Sequence, residues 1–305
     1  MKSRCDLHTH SVFSDGTYTP AQLIDAAEAA GLSAIALCDH NTVDGLPDFL
    51  AAAEGRSIKA VPGAEFSVDL KGTELHLLGL FIPTSAFSSV SELMDGVNRR
   101  KDESNAALVD SLNKAGYALD YSEIKARSPK GKVNRAHIAA AMTEKGYTAS
   151  ITEAFQTLLS PAAGHYREPE RLSVWEALDF LGSIHAVPVL AHPFLNLKAE
   201  ELTAFLPAAK ERGLLGMEVQ YSLYSAETTA LSEAIAAQFG LLPSGGSDFH
   251  GSNKPDISLG TGKGSLCIPA QWAEALASAQ RQQLLDRTAE SILDENMEAF
   301  LELAK

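Results

Sequence analysis

Residues 19–40 read TPAQLIDAAEAAGLSAIALCDH, and this stretch sets the reading of the chain. Thr19-Pro20 supplies a helix N-cap and a first-turn proline, Leu23, Ile24 and Ala27 share one helical face, and Gly31 closes the helix. The apolar run Ala34-Ile35-Ala36-Leu37-Cys38 follows and ends on Asp39-His40, a helix delivering a strand that finishes in metal-binding side chains. The same pattern runs outward. Upstream, Cys5-Asp6-Leu7-His8-Thr9-His10 is a short strand with polar ends; downstream, Ile58-Lys59-Ala60-Val61 and Leu75 to Phe81 are further apolar runs. This rhythm predicts βαβ units and a parallel sheet.

From about Ser88 to Pro161 helices follow one another without strands, and basic residues cluster there: Arg99, Arg100, Lys101, Lys125, Arg127, Lys130, Lys132 and Arg135. Ser128 to Lys132 reads as a loop within this region. The expected organisation is an α/β barrel over 1–87 and 162–305, closed by C-terminal helices near 270–281 and 283–303, with an inserted helical domain over 88–161 that caps the substrate. After Ser173 the alternation resumes, with runs at Val187–Ala191, Leu214–Val219 and Leu241-Leu242. At 305 residues the chain fits one barrel plus an insertion.

Composition narrows the function. A hydrophobic share of 45% with 21% charged residues is a globular balance, and no apolar run approaches the roughly 18 residues that cross a bilayer. Met1-Lys2 runs straight into the first strand without a signal-peptide pattern, so a cytoplasmic location is expected. Cys5, Cys38 and Cys267 are odd in number and widely spaced, which signals neither a disulfide framework nor a zinc finger. A net charge of −14 argues against a broad basic face for duplex nucleic acid. The expected partner is a small phosphorylated substrate, drawn in by bound cations.

Nine metal-binding side chains fall along these runs: His8, His10, Asp15, His40, Glu65, His76, His192, Asp248 and His250. His8 and His10 are two apart on an extended chain and emerge on one face; Asp248 and His250 repeat that spacing, and Glu74 and His76 share a third strand face. His40, Glu65 and His192 are each expected to terminate a strand at the barrel mouth. A lone histidine is more often a core or surface residue, but this many at run ends reverses the balance. Mixed imidazole and carboxylate donors suit Zn²⁺, Mn²⁺ or Fe²⁺, and nine exceed what one ion takes. Closely spaced ions that share a carboxylate acidify water and clamp phosphoryl oxygens, the chemistry of phosphoester hydrolysis. His165, His185, Glu218 and the Arg99-Arg100-Lys101 cluster are read as structural or solvated.

Six segments together resemble the polymerase and histidinol phosphatase (PHP) family of amidohydrolase-like metal hydrolases. They are Asp6 to Ser11 with Ser14-Asp15-Gly16, Cys38 to Asn41, Pro62 to Glu65, Leu75 to Gly79, Ala191-His192-Pro193 and Gly246 to His250. The resemblance implies a distorted (β/α)₇ TIM-like barrel with three divalent cations, commonly manganese. Carried over, His8, His10, Glu65 and Asp248 would hold one ion, Glu65, His76 and His192 a second, and Asp15, His40 and His250 a third. Histidinol phosphatases of the family commonly have a histidine where this chain has Asp15, which points instead to the subgroup with Ser-Asp-Gly. That subgroup carries an Arg-x-His segment, matched by Arg135-Ala136-His137, and an aromatic residue loosely matched by Tyr166. Its implied substrates are 3′,5′-nucleotide bisphosphates such as pAp and short 5′-phosphorylated oligonucleotides, the small ones preferred.

Arg135 would then fork onto a phosphate, with His137 beside it as donor or proton source. The alternatives are a histidinol-phosphate-type or other small-molecule phosphatase, cleavage of a C–N or lactone bond, and a non-catalytic polymerase-accessory module. Glu65→Ala or Asp248→Asn is expected to lose metal and several orders of magnitude in turnover, because shared ligands act as a unit. Turnover retained by metal-stripped Asp248→Asn would refute the metal reading.

Overall fold

In the computed structural model, residues 3–128 and 133–285 are described; the loop expected at Pro129 to Lys132, with Lys130 and Lys132, and the helix expected beyond 285 lie outside them. The first half of the barrel is β1 (Arg4–Thr9), α1 (Pro20–Ala29), β2 (Leu32–Leu37), α2 (Leu46–Ala53), β3 (Lys59–Leu70) and β4 (Thr73–Leu80). Then come α3 (Phe87–Lys114), α4 (Tyr121–Arg127), α5 (Arg135–Glu144) and α6 (Ile151–Gln156). The chain returns through β5 (Leu172–Ser173), α7 (Val174–Ser183), β6 (Val187–Ala191), α8 (Ala199–Glu211), β7 (Gly216–Tyr221), α9 (Ala226–Phe239), β8 (Leu242–Gly246) and β9 (Ile268–Pro269). A last helix, α10, covers residues 270–285 without the expected break near 282.

The strands form one sheet in the order β8-β7-β6-β4-β3-β2-β1-β9, with β5 on β3. The sheet curls into a nearly closed TIM-like barrel. Its seam is stitched at the mouth, where the Asp248 amide donates to the His8 carbonyl (2.9 Å) and the His10 amide to the Phe249 carbonyl (2.9 Å). At the other end β9 pairs antiparallel with Arg4 and Cys5 of β1.

The expected all-parallel sheet needs correction, because β4 runs antiparallel to both β3 and β6. The cause is local. Lys71 and Gly72 both have positive φ (51° and 89°), the conformation of a two-residue type I′ hairpin, and the Asp69 carboxylate accepts the Gly72 amide. The reversal brings the first half of β4 to the mouth, so His76 lies opposite Ser67 and Ala191 rather than at a strand end. Glu65 likewise sits inside β3, which continues five residues past it to Leu70.

Local signals account for much of the rest. Thr19 caps α1 with a reciprocal box to Gln22, and Gly31 leaves the helix at φ 70°. Cys5 and Cys38 are fully buried among Leu7, Ala36, Val61 and Leu78 inside the barrel. The outer core lies between sheet and helices and takes in Val90, Met94 and Val97 from the first half of α3. The second half of α3 buries Leu108 and Leu112 in a separate cluster with Ile138, Met142 and Leu159 from the region of α4 to α6. No helix among the described residues is long and apolar enough to cross a membrane.

Gly246 marks the tightest point beneath the mouth: a Cβ there would lie 2.1 Å from the His8 Cβ and 2.6 Å from the His8 amide nitrogen. Gly246→Ala is therefore expected to destabilise by about 1–3 kcal/mol through overpacking. It should also reduce bound metal by displacing His8. Urea denaturation together with elemental analysis checks both, and an unchanged midpoint would contradict the contact.

Candidate metal centre

The nine side chains singled out by the sequence converge on one rim, with Glu65 at its centre. Glu65 is fully buried, and five imidazoles face its two oxygens. Oε2 meets His8 Nε2 (3.2 Å), His10 Nε2 (3.3 Å) and His40 Nδ1 (3.0 Å), while Oε1 meets His76 Nδ1 (2.8 Å) and His192 Nε2 (3.0 Å). Asp248 Oδ1 lies 3.2 Å from His10 Nε2 and 3.8 Å from His8 Nε2. To one side, Asp15 lies 3.2 Å from His250 Nε2 and 3.8 Å from His40 Nε2.

Several of these atoms are buried without a hydrogen bond: His8 Nε2, both ring nitrogens of His10, Asp15 Oδ1, Glu65 Oε2 and His76 Nδ1. Burying so many polar atoms unpaired is unfavourable, and cations between them would satisfy them. Donors that share an ion at roughly 2.0–2.2 Å stand about 3.0–3.5 Å apart, close to the spacing seen. The residues present thus fit divalent cations. His8, His10 and Glu65, His40, Glu65 and His76, and His10, Asp15, His40 and His250 are each close enough to share one.

The sequence reading missed the carboxylates that hold these ligands. Glu218, read as structural, is fully buried, accepts from His8 Nδ1 (3.0 Å) and accepts the His192 amide (2.8 Å). Such a bond fixes the tautomer that leaves His8 Nε2 facing Glu65. Its place near the end of the apolar run Leu214–Val219 was the available signal, although β7 continues past it to Tyr221. Asp6 accepts the Ser247 amide (2.8 Å) and hydroxyl and the Gly260 amide (2.8 Å), tying β1 to the loop before Asp248. Asp39 accepts from the amide and hydroxyl of Ser11 and the hydroxyl of Ser14, shaping the loop that carries Asp15. Arg171 pairs with Glu74 (3.0 Å), whose other oxygen lies 3.7 Å from His76 Nε2. His192 (φ 26°) and Asp248 (φ 56°) adopt left-handed backbone conformations, strain of a kind that clusters at functional sites.

The rim opens into a cavity of about 1150 Å³ bounded by Asp15, His40, His76 and His250 on the barrel side and by Lys101 and His137 from the insertion. That volume leaves room for more than the small substrates expected, since ligand pockets usually span about 300–1,000 Å³. Lys101 and Arg99 line it, so the cluster read as a solvated face turns partly inward. Desolvation, and then repulsion from Arg135 and Arg171, outweighs Glu74 and Asp15 and lowers the Lys101 pKa below its ordinary value. Arg135 and Tyr166 line an adjoining chamber of about 280 Å³, where the guanidinium carbon stands 4.2 Å over the Tyr166 ring. Arg135 has no carboxylate partner among the described residues. His137 Nδ1 accepts the Asn134 amide (3.1 Å), which leaves the ring proton on Nε2. Desolvation and then Lys101 lower its pKa. His165 bonds Ser111 (2.9 Å) within the insertion.

The metal-free protein replaces cations with protons. Burial alone would lower the imidazole pKa values, but bonds to Asp248 and Glu65 raise His10 to about 9, and Glu65 and Glu74 raise His76 to about 10. Desolvation and then repulsion from His10 and His76 outweigh Glu65 and Asp15 and lower His40 to about 3. Raised values contribute stability that is full below the unfolded pKa near 6.5 and lost as pH rises through 9–10. Cations must displace these protons, so metal binding at pH 7.5 is expected to release at least about one proton and to tighten towards pH 9. Calorimetry in buffers of different ionisation enthalpy measures the release; none would contradict it.

The PHP domain model matches residues 6–160, just over half the chain. The chain is 28% identical over 251 residues to the 5′-3′ exoribonuclease of Haemophilus influenzae, covering 82% of this chain and 91% of that protein. It is 29% identical over 284 residues to the 3′,5′-nucleoside bisphosphate phosphatase of Chromobacterium violaceum, covering 90% and 98%. A solved structure from Bifidobacterium adolescentis, assigned to the metal-dependent phosphoesterases, superposes with a TM-score of 0.74 at 26% identity over 90% of this chain and 95% of its own.

Proposed function

The chain belongs to the PHP domain family, and from that premise we propose that this metal-dependent phosphoester hydrolase removes phosphate from nucleotides, above all 3′,5′-nucleotide bisphosphates such as pAp. One observation carries the reading: unpaired imidazole and carboxylate atoms around Glu65 open into a cavity whose other wall bears Lys101. The names of two full-length relatives, a bisphosphate phosphatase and an exoribonuclease, support the nucleotide class. The cavity volume supports short 5′-phosphorylated oligonucleotides as a second class of substrate.

Three ions, manganese first and iron or zinc as alternatives, are assigned to the rim. His8, His10, Glu65 and Asp248 take one, Glu65, His76 and His192 the second, and Asp15, His40 and His250 the third. The spacing of the two Glu65 oxygens to different imidazoles supports its sharing between the first two. Bound there, divalent ions acidify water and neutralise charge on phosphoryl oxygens. The barrel residues orient and the insertion, residues 88–161, caps. Arg135, stacked on Tyr166 and without a carboxylate partner among the described residues, offers a two-pronged fork to phosphate. His137 lines the cavity and carries its ring proton on Nε2. With its pKa lowered, the ring is neutral near pH 7 and acts as a hydrogen-bond donor rather than a store of acid. The acidic surface, with net charge −14, disfavours duplex nucleic acid. Cys5, Cys38 and Cys267 are all unbridged, which fits the reducing cytoplasm.

A phosphate-release assay with added Mn²⁺, comparing pAp, histidinol phosphate and a 5′-phosphorylated dinucleotide, tests the assignment. Turnover is expected to be highest on pAp; a preference for histidinol phosphate would overturn the substrate class. Arg135→Ala should weaken pAp use by about 10–100-fold, the range for a charged hydrogen bond, with metal content unchanged. Parallel metal loss would make Arg135 a structural residue.

A further inference from the structure

One cation stands at the rim itself. Lys254 Nζ donates to Asp248 Oδ2 at 2.6 Å, on the side of the carboxylate away from His8 and His10. Tyr221 already donates its hydroxyl to the same oxygen at 2.8 Å, so the buried carboxylate does not need the lysine for satisfaction. The Lys254 side chain is 40% exposed, and an ion pair this open adds little stability.

A built turn delivers this side chain to the mouth. Gly251 has φ 64°, and a Cβ there would lie 2.0 Å from Thr17 Oγ1. The Ser252 amide donates to Thr17 Oγ1 (3.0 Å), Asn253 Nδ2 donates to the Asp15 carbonyl (2.8 Å), and the Lys254 amide closes the turn on the Gly251 carbonyl (3.2 Å). The loop bearing Lys254 is thereby fixed to the loop bearing Asp15, and Lys254 lines the large cavity beside Asp15 and His250. An ammonium has three donors, and Asp248 is the only side-chain acceptor it meets among the described residues.

We propose that Lys254 is a phosphoryl-binding residue: held on Asp248, it turns its remaining N–H donors to a phosphate oxygen at the rim. The inference rests on the phosphoesterase reading and adds to it a contact from the barrel, on a different element from Arg135 and His137. An anion approaching the rim meets the carboxylates of Asp15 and Asp248, and a cation set against Asp248 offsets that repulsion. The two roles are compatible because a lysine acts as a point charge, with rotatable donors that serve two acceptors at once.

The test compares the Mn²⁺-loaded full chain with Lys254→Met, which keeps the apolar stem, and Lys254→Arg, which keeps the charge. Binding of inorganic phosphate is measured by calorimetry and manganese content by elemental analysis. Lys254→Met should bind phosphate about 10–100-fold more weakly, with KM for pAp rising in step and manganese content and thermal midpoint unchanged. Lys254→Arg should recover part of the affinity. Unchanged phosphate affinity in Lys254→Met, or manganese lost in proportion to it, would reduce Lys254 to a pin for Asp248 and overturn the proposal. Failure of the underlying reading looks different: the wild-type protein would then hydrolyse no phosphoester, whatever the lysine does to phosphate binding.

Discussion

Glu65 is the constraint on which the site is built. A fully buried carboxylate is among the most unfavourable groups a fold can hold, unless positive charge or hydrogen bonds surround it. Here five histidines from four different parts of the chain approach its two oxygens, so β1, β2, β4 and β6 must all bring side chains to one point on β3. Without cations those rings compete with one another for protons, as the opposite shifts of His76 and His40 indicate. The barrel provides the rigid convergence, and cations held there would turn a repulsive crowd of polar atoms into a satisfied one.

Around this centre lies an outer ring of buried carboxylates, Glu218, Asp6 and Asp39, bonded to the elements that carry the rim. Glu218 holds His8 through its ring and His192 through its backbone, so one side chain orients two candidate ligands. Asp6 and Asp39 accept two or more donors apiece and fix the loops carrying Asp248 and Asp15. The left-handed backbone at His192 and Asp248 persists because such bonds over-determine it. Ligand positions on the rim are therefore set by polar contacts one layer out.

The insertion supplies what the acidic barrel lacks. Its long α3 is anchored at one end in the barrel core and at the other in a core of its own, which carries Lys101 between the two over the cavity. Arg135 and His137 begin α5, a helix N-terminus whose cap, Asn134, also engages the His137 ring. Cationic side chains from these helices face the candidate ligands of the barrel across one space, an arrangement complementary to phosphate.

Local chemistry was legible in the chain itself. Caps, turn glycines and apolar runs marked α1, β2 and β6 close to their true limits, because those signals act within a few residues. The H-x-H spacing marked β1 because alternation puts both side chains on one face, whereas Asp248 and His250 lie past the end of β8 and reach the rim through the left-handed turn at Asp248. The direction of β4 was within reach, since Lys71-Gly72 is a hairpin signal, yet the apolar run after it reads equally well as a parallel strand. What the sequence could not determine was which distant groups meet. Glu218 lies 210 positions from the ring it holds, and Lys254 stands against Asp248 only because a turn packs on Thr17 and Asp15. A carboxylate's role depends on the donors around it, and barrel closure alone brings those donors within hydrogen-bond reach.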